Sequence, residues 1–154
     1  MAGTKLGVYS AMKHGEQAMS DALAAAIAWR EAAVADGWVI RPTYGQESVE
    51  RAASLSHPDG FAAMVLARDN RGHDRPQQCY VPSVTAEVNV WGPDGLAVET
   101  GDAYDMDAIR AGLRICKTCG ASDVDTQRYS FAGRCCASCR PKMAEKHEYA
   151  GWDR

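Results

Sequence analysis

Residues 16–36, EQAMSDALAAAIAWREAAVAD, carry apolar side chains at Met19, Ala22, Leu23, Ala26, Ile27, Ala33 and Val34. Steps of three, four and seven belong to a helix with one apolar face, and Gly37 stands where a left-handed C-terminal cap is wanted. Trp38 to Arg41 then suits a short strand closed by Pro42. Glu47 to Ser56 suits a second, shorter helix, stopped by His57-Pro58-Asp59-Gly60. Phe61 to Arg68 is a compact apolar run between turn residues, and its length favours a buried strand. Asp69 to Gln78 is polar and suits a loop. From Val84 the period changes to two: Val84, Ala86, Val88 and Val90 alternate with Thr85, Glu87, Asn89 and Trp91. Gly92-Pro93-Asp94-Gly95 supplies turn chemistry, and Leu96 to Glu99 returns as the hairpin partner. Asp105 is placed to cap a last helix over Met106 to Leu113.

This order predicts an α+β fold with a mainly antiparallel sheet and flanking helices, because the central hairpin leaves few crossovers. A stretch of about 110 residues can bury a modest core without a metal. The expected division is an acidic α+β domain over 1–113 and a separate module over 114–154.

The second part is organised by cysteine. Cys116-Lys117-Thr118-Cys119-Gly120 has the form of a knuckle, in which one tight turn aims two sulfurs inward and glycine supplies the permissive backbone that follows. Cys136-Ala137-Ser138-Cys139 repeats the spacing after sixteen intervening residues. Two short strands, Val124 to Tyr129 and Phe131 to Cys135, fit between the pairs, and Pro141 to His147 suits a helix with proline near its start. Paired C-x-x-C spacings point to one tetrahedral Zn2+ held by Cys116, Cys119, Cys136 and Cys139. The adjacent Cys135 leaves the third ligand open between two neighbours, with spacing selecting Cys136. Cys79 is most simply a small buried hydrophobe.

Knuckle, hairpin, knuckle and helix is the layout of a treble-clef or zinc-ribbon module, and residues 116–146 resemble a GATA-type or treble-clef four-cysteine finger, in which the second pair opens a helix. The resemblance covers about a fifth of the chain and implies zinc binding. The hairpin lacks the tryptophan and basic run of that finger, so reading of DNA sequence is not implied. A treble-clef nuclease of the His-Asn-His kind needs a hairpin histidine, and residues 123–135 contain none. The alanine- and arginine-rich style resembles small accessory proteins of phages from GC-rich hosts, which implies no particular activity. Residues 1–109 resemble no family.

Charge divides the chain. Residues 1–109 hold eight Lys and Arg against fifteen Asp and Glu, a net of −7, while residues 110–154 hold nine against five, a net of +4. Four thiolates on a zinc ion would lower the second figure to about +2. Arg128, Arg134, Arg140, Lys142 and Lys146 are candidates for a partner surface, with Tyr129 and Phe131 among them to stack or to cover the metal core. Trp91, on the polar side of its strand, is a further candidate anchor. Glu145 and Glu148 among the basic residues favour a protein partner over a nucleic acid.

No run of about 18 apolar residues predicts a membrane span, and Met1-Ala2-Gly3-Thr4-Lys5 opens no secretory signal, so a cytoplasmic protein is expected. G-x-S-x-G, P-loop and dinucleotide motifs are missing, and His14, His57 and His73 have ordinary turn or loop settings. A closed four-thiolate site offers no position for water. The sequence therefore predicts a non-enzymatic zinc-binding accessory or regulatory protein with a protein or nucleic-acid partner and no small-molecule substrate. The alternative is a structural or assembly protein in which zinc only staples the C-terminus. Two separable modules would lose only the tail on chelation and keep residues 1–109.

Overall fold

The computed structural model describes residues 4–10, 16–42, 53–69, 83–129 and 133–140. Its main sheet is antiparallel, built from β1 (Thr4–Ser10), β2 (Val39–Arg41), β3 (Ala53–Ser56), β4 (Ala62–Asp69), β5 (Ser83–Trp91) and β6 (Ala97–Val98). The strand order is β1-β5-β4-β3-β2, with β6 pairing the end of β5. Helices α1 (Glu16–Ala35) and α2 (Met106–Gly112) flank it, and β7 (Thr126–Tyr129) and β8 (Gly133–Cys136) form a separate small hairpin. The α+β class read from the sequence is the observed one.

Helix α1 lies across β1, β5 and β4. Its buried face is Ala18, Met19, Ala22, Ala26, Trp29 and Ala33. At about 100° per residue this face is rotated from the expected stripe. Leu23 and Ile27 fall on its flank and Val34 is exposed. Alanines let the helix axis approach the sheet closely, and Trp29 fills the remaining space against Trp38 and Tyr104, with ring centroids 6.2 and 5.2 Å away. The helix ends in a Schellman motif. Gly37 adopts φ +99°, its N–H donates to Val34 O at 3.1 Å, and Trp38 N–H reaches back to Ala33 O at 3.1 Å.

Val84, Ala86, Val88 and Val90 of β5 and Ala63, Val65 and Ala67 of β4 face the helix as buried rows. The hairpin closes as expected, with Val90 opposite Val98 and Trp91 opposite Ala97. Asp105 caps α2, its Oδ1 accepting from Ala108 N–H at 3.2 Å. Ile109 is fully buried in the main core, and an added Cβ on Gly112 would collide with Val98 Cγ1, so α2 packs closely against β6.

Two elements differ from the sequence expectation. Thr4–Ser10 is a strand where no element was expected, its alternation confined to Leu6 and Val8; its pairing with β5 carries a register shift between Lys5 and Gly7. Residues 53–56 are a strand rather than the end of a helix. Ala53 and Leu55 are buried and Ser54 and Ser56 half-buried, a period of two that pairing with β4 enforces. Residues 47–52 of the expected helix, most of the 69–78 loop, Cys79, His14 and His73 lie outside the described residues.

Candidate metal centre

Helix α2 delivers the chain into the first cysteine pair. Leu113 caps the helix, Thr126 Oγ1 donates to Leu113 O at 2.7 Å, and Val124 N–H donates to Arg114 O at 3.1 Å. The Arg114 guanidinium bridges Asp123 at 3.1 Å and Asp125 at 2.9 Å. The knuckle turns on two backbone bonds, Gly120 N–H to Cys116 O and Cys116 N–H to Ala121 O, both 2.9 Å. Hairpin β7–β8 brings the second pair beside the first, with Thr126 opposite Cys136 and Gln127 opposite Cys135.

The sulfurs of Cys116, Cys119, Cys136 and Cys139 all lie within 4.8 Å of one another, a group that can hold a metal ion. Cys119 Sγ is 3.9 Å from Cys136 Sγ. Cys116, Cys136 and Cys139 are buried and Cys119 is exposed. The cluster decides between the neighbours: Cys136 joins it, while Cys135, fully buried, sits 3.3 Å from Thr118 Oγ1. Backbone donors are already aimed at sulfur, with Cys136 N–H 3.4 Å from Cys116 Sγ. Burial pushes the Cys116 thiol up, but the N–H groups of Cys119, Cys136 and Thr118 outweigh it and bring the group down to about 6. Cys139 goes the other way, to about 12, through its hydrogen bond with Cys136, burial, and the neighbouring Cys119 and Cys116. Without a cation, four sulfurs this close resist ionising together; a divalent cation removes that repulsion.

The candidate partner residues are scattered. Arg128 is exposed on β7. Arg140 is half-buried and its Nη1 reaches Cys135 O at 3.4 Å. Arg134 is only 3% exposed and spends its guanidinium on Asp94, forty residues earlier in the chain. Trp91 is half-buried at the end of β5. Lys142, Lys146, Phe131 and the helix expected after Pro141 lie outside the described residues. Tyr129 packs against the cysteine cluster.

Local sequence did not announce the partners of the basic residues. Arg110 pairs with Asp59 at 2.6 Å and Lys117 with Glu99 at 3.0 Å, so with Arg134–Asp94 three cations after residue 109 are met by carboxylates before it. The only hint was the opposed charge of the two halves. Neither a family model, nor a curated protein, nor a solved structure matches the chain. No helix of the described residues is long and apolar enough to cross a membrane.

Proposed function

We propose that this chain is a non-enzymatic zinc protein whose four-cysteine centre is structural, and that it serves as an accessory or regulatory protein for a protein partner. The observation that carries the reading is the convergence of Cys116, Cys119, Cys136 and Cys139 within 4.8 Å. Zinc–sulfur bonds of about 2.3 Å in a tetrahedron require sulfurs about 3.8 Å apart, and the Cys119–Cys136 pair at 3.9 Å is close to that. Four soft sulfur donors suit zinc and not magnesium or calcium. A set completed by four thiolates leaves no open position for water or substrate, which favours a structural ion over a catalytic one. The knuckle and the β7–β8 hairpin support a zinc-finger-like module.

A protein partner is favoured over nucleic acid because Arg110, Arg114, Lys117 and Arg134 are engaged with carboxylates of this same chain. Charges satisfied within the molecule release fewer phosphate counterions on binding. Among the described residues, Val34 and the edge-strand residues Val39 and Ile40 are the large apolar side chains left exposed. An apolar strand edge is an element a protein partner can pair with. The same internal ion pairs favour a second reading, a structural or assembly protein in which zinc staples the C-terminus.

Native mass spectrometry should find one zinc per chain, and Cys119→Ser should lose it; a fully loaded Cys119→Ser protein overturns the ligand set. Labelled duplex DNA should bind weakly and without sequence preference, and tight sequence-selective binding at physiological salt would reverse the partner ranking. A mass that rises with concentration in light scattering would favour assembly.

A further inference from the structure

Arg134 stands in β8 immediately before Cys135 and Cys136, yet its side chain leaves the small hairpin and enters the Gly92–Leu96 turn of the main sheet. Both Nη atoms donate to the Asp94 carboxylate, Nη2 at 2.6 Å from Oδ1, and Nη2 also reaches Leu96 O at 3.1 Å. The turn is built to receive it. A Cβ on Gly92 would sit 2.6 Å from Arg134 Nη2 and 2.7 Å from Leu113 Cδ2, so a side chain there would have to displace the guanidinium or Leu113. Leu96 O accepts Gly92 N–H at 2.9 Å as well as the arginine, and Leu96 N–H donates to Asp94 Oδ1 at 3.1 Å.

The other end of Arg134 is fixed to the cysteines. Its carbonyl accepts Lys117 N–H at 2.8 Å, inside the first knuckle, and Lys117 Nζ holds Glu99 at 3.0 Å just beyond β6. Two residues on, Cys136 N–H points at Cys116 Sγ. One side chain therefore joins the ligand-bearing strand to a turn flanked by the buried core residues Val90 and Val98. The Arg134 guanidinium is buried and the Asp94 carboxylate half-exposed, so loss of the carboxylate would leave a cation unpaired in the interior, which is costly.

We propose that the Arg134–Asp94 pair couples the metal centre to the main sheet, so that metal binding at the four cysteines and order in the Gly92–Leu96 turn strengthen each other. The proposal rests on the zinc reading above. Metal fixes β8 and so fixes Arg134; the turn fixes Arg134 and so holds Cys136 in place for the metal. Such coupling is reciprocal. Asp94 and Arg134 are thus positioning residues for a site they do not ligate, and loss of such outer contacts weakens metal affinity by about ten- to a hundredfold.

Two measurements on the full chain test this. In the first, wild type is loaded with zinc, then chelated, and amide hydrogen exchange is followed. Gly92 and Gly95 N–H should lose protection by about tenfold or more, while the amides of Met64 and Val65 within β4 keep theirs. In the second, Asp94→Asn should bind zinc about tenfold or more weakly than wild type in competition with a chromophoric chelator. If Asp94→Asn does not fold, the exchange measurement on wild type decides alone. A wild type that binds one zinc, with turn protection indifferent to chelation and Asp94→Asn affinity unchanged, overturns the coupling and leaves the zinc reading standing. A wild type that binds no zinc overturns both.

Discussion

Gly92 shows how much one missing methyl can decide. Its place in the turn would admit several residues on backbone grounds, but a side chain there would collide with both Arg134 and Leu113. Gly92→Ala should therefore destabilise the protein by about 1–3 kcal/mol, the usual cost of overpacking a close contact, read as a lowered urea midpoint. An unchanged midpoint would mean that the guanidinium moves aside freely. Cys135 makes the opposite case. It touches Thr118 and lies outside the four-sulfur group, so Cys135→Ser should retain its zinc in native mass spectrometry. Loss of the ion from that variant would show that the wrong neighbour has been taken as the ligand. Asp94 adds a pH signature. Burial raises its pKa, but hydrogen bonds from Arg134 and Leu96 N–H outweigh this and hold the carboxyl below its ordinary value. A group depressed in the folded state adds stability above its unfolded pKa, near 4, and loses it as pH falls through the lower folded value. The stability gap between wild type and Asp94→Asn should thus be full at neutral pH and close below about pH 4. A gap that stays constant into acid would place its origin outside the ion pair.

Among the elements, α2 is short at seven residues and depends on its ends and its packing rather than on its own propensity. Asp105 satisfies Ala108 N–H at its start, and Ile109 anchors it in the core. Asp105→Ala should cost about 1 kcal/mol, as lost caps do, seen in chemical denaturation with an unchanged slope. A loss near zero would mean that Ile109 alone holds the helix. Because α2 runs straight into the cysteine knuckle, its position also sets where Cys116 begins. Element legibility followed the strength of local pattern. The twenty-residue α1, the β5–β6 hairpin and the capped α2 each carried periodicity, turn chemistry or a cap. Strand β1 alternates only at Leu6 and Val8, and β3, with four residues, is too short for its alternation to outweigh a helical reading.

Across the whole molecule, part of the charge asymmetry is met by internal contacts among the described residues. Arg110, Lys117 and Arg134 each meet a carboxylate of the preceding part, so the acidic and basic regions neutralise one another where they touch. Of these, Arg110–Asp59 and Lys117–Glu99 are substantially exposed and add little; exposed pairs contribute about 0–1 kcal/mol. Arg134–Asp94 differs from these two in that its arginine is buried. Two modules separable at about residue 110 would lose only the tail on chelation. If the proposed Arg134–Asp94 coupling holds, chelation should also loosen the Gly92–Leu96 turn.

The amino-acid sequence by itself determined the features whose cause is local. Two C-x-x-C pairs place four sulfurs where two tight turns can present them, and alternation from Val84 to Trp91 obliges one buried face. These follow from covalent spacing and from the fixed periods of helix and strand. Tertiary structure decided the rest: that Thr4–Ser10 and Ala53–Ser56 are strands, that Cys136 and not Cys135 joins the cluster, and that α1 turns its alanines inward. It also decided what Arg134 is for. On the sequence Arg134 is one more cation beside a cysteine, and Asp94 is a turn residue forty positions away. Only folding brings the carboxylate to the guanidinium, and only burial makes their separation costly enough to matter.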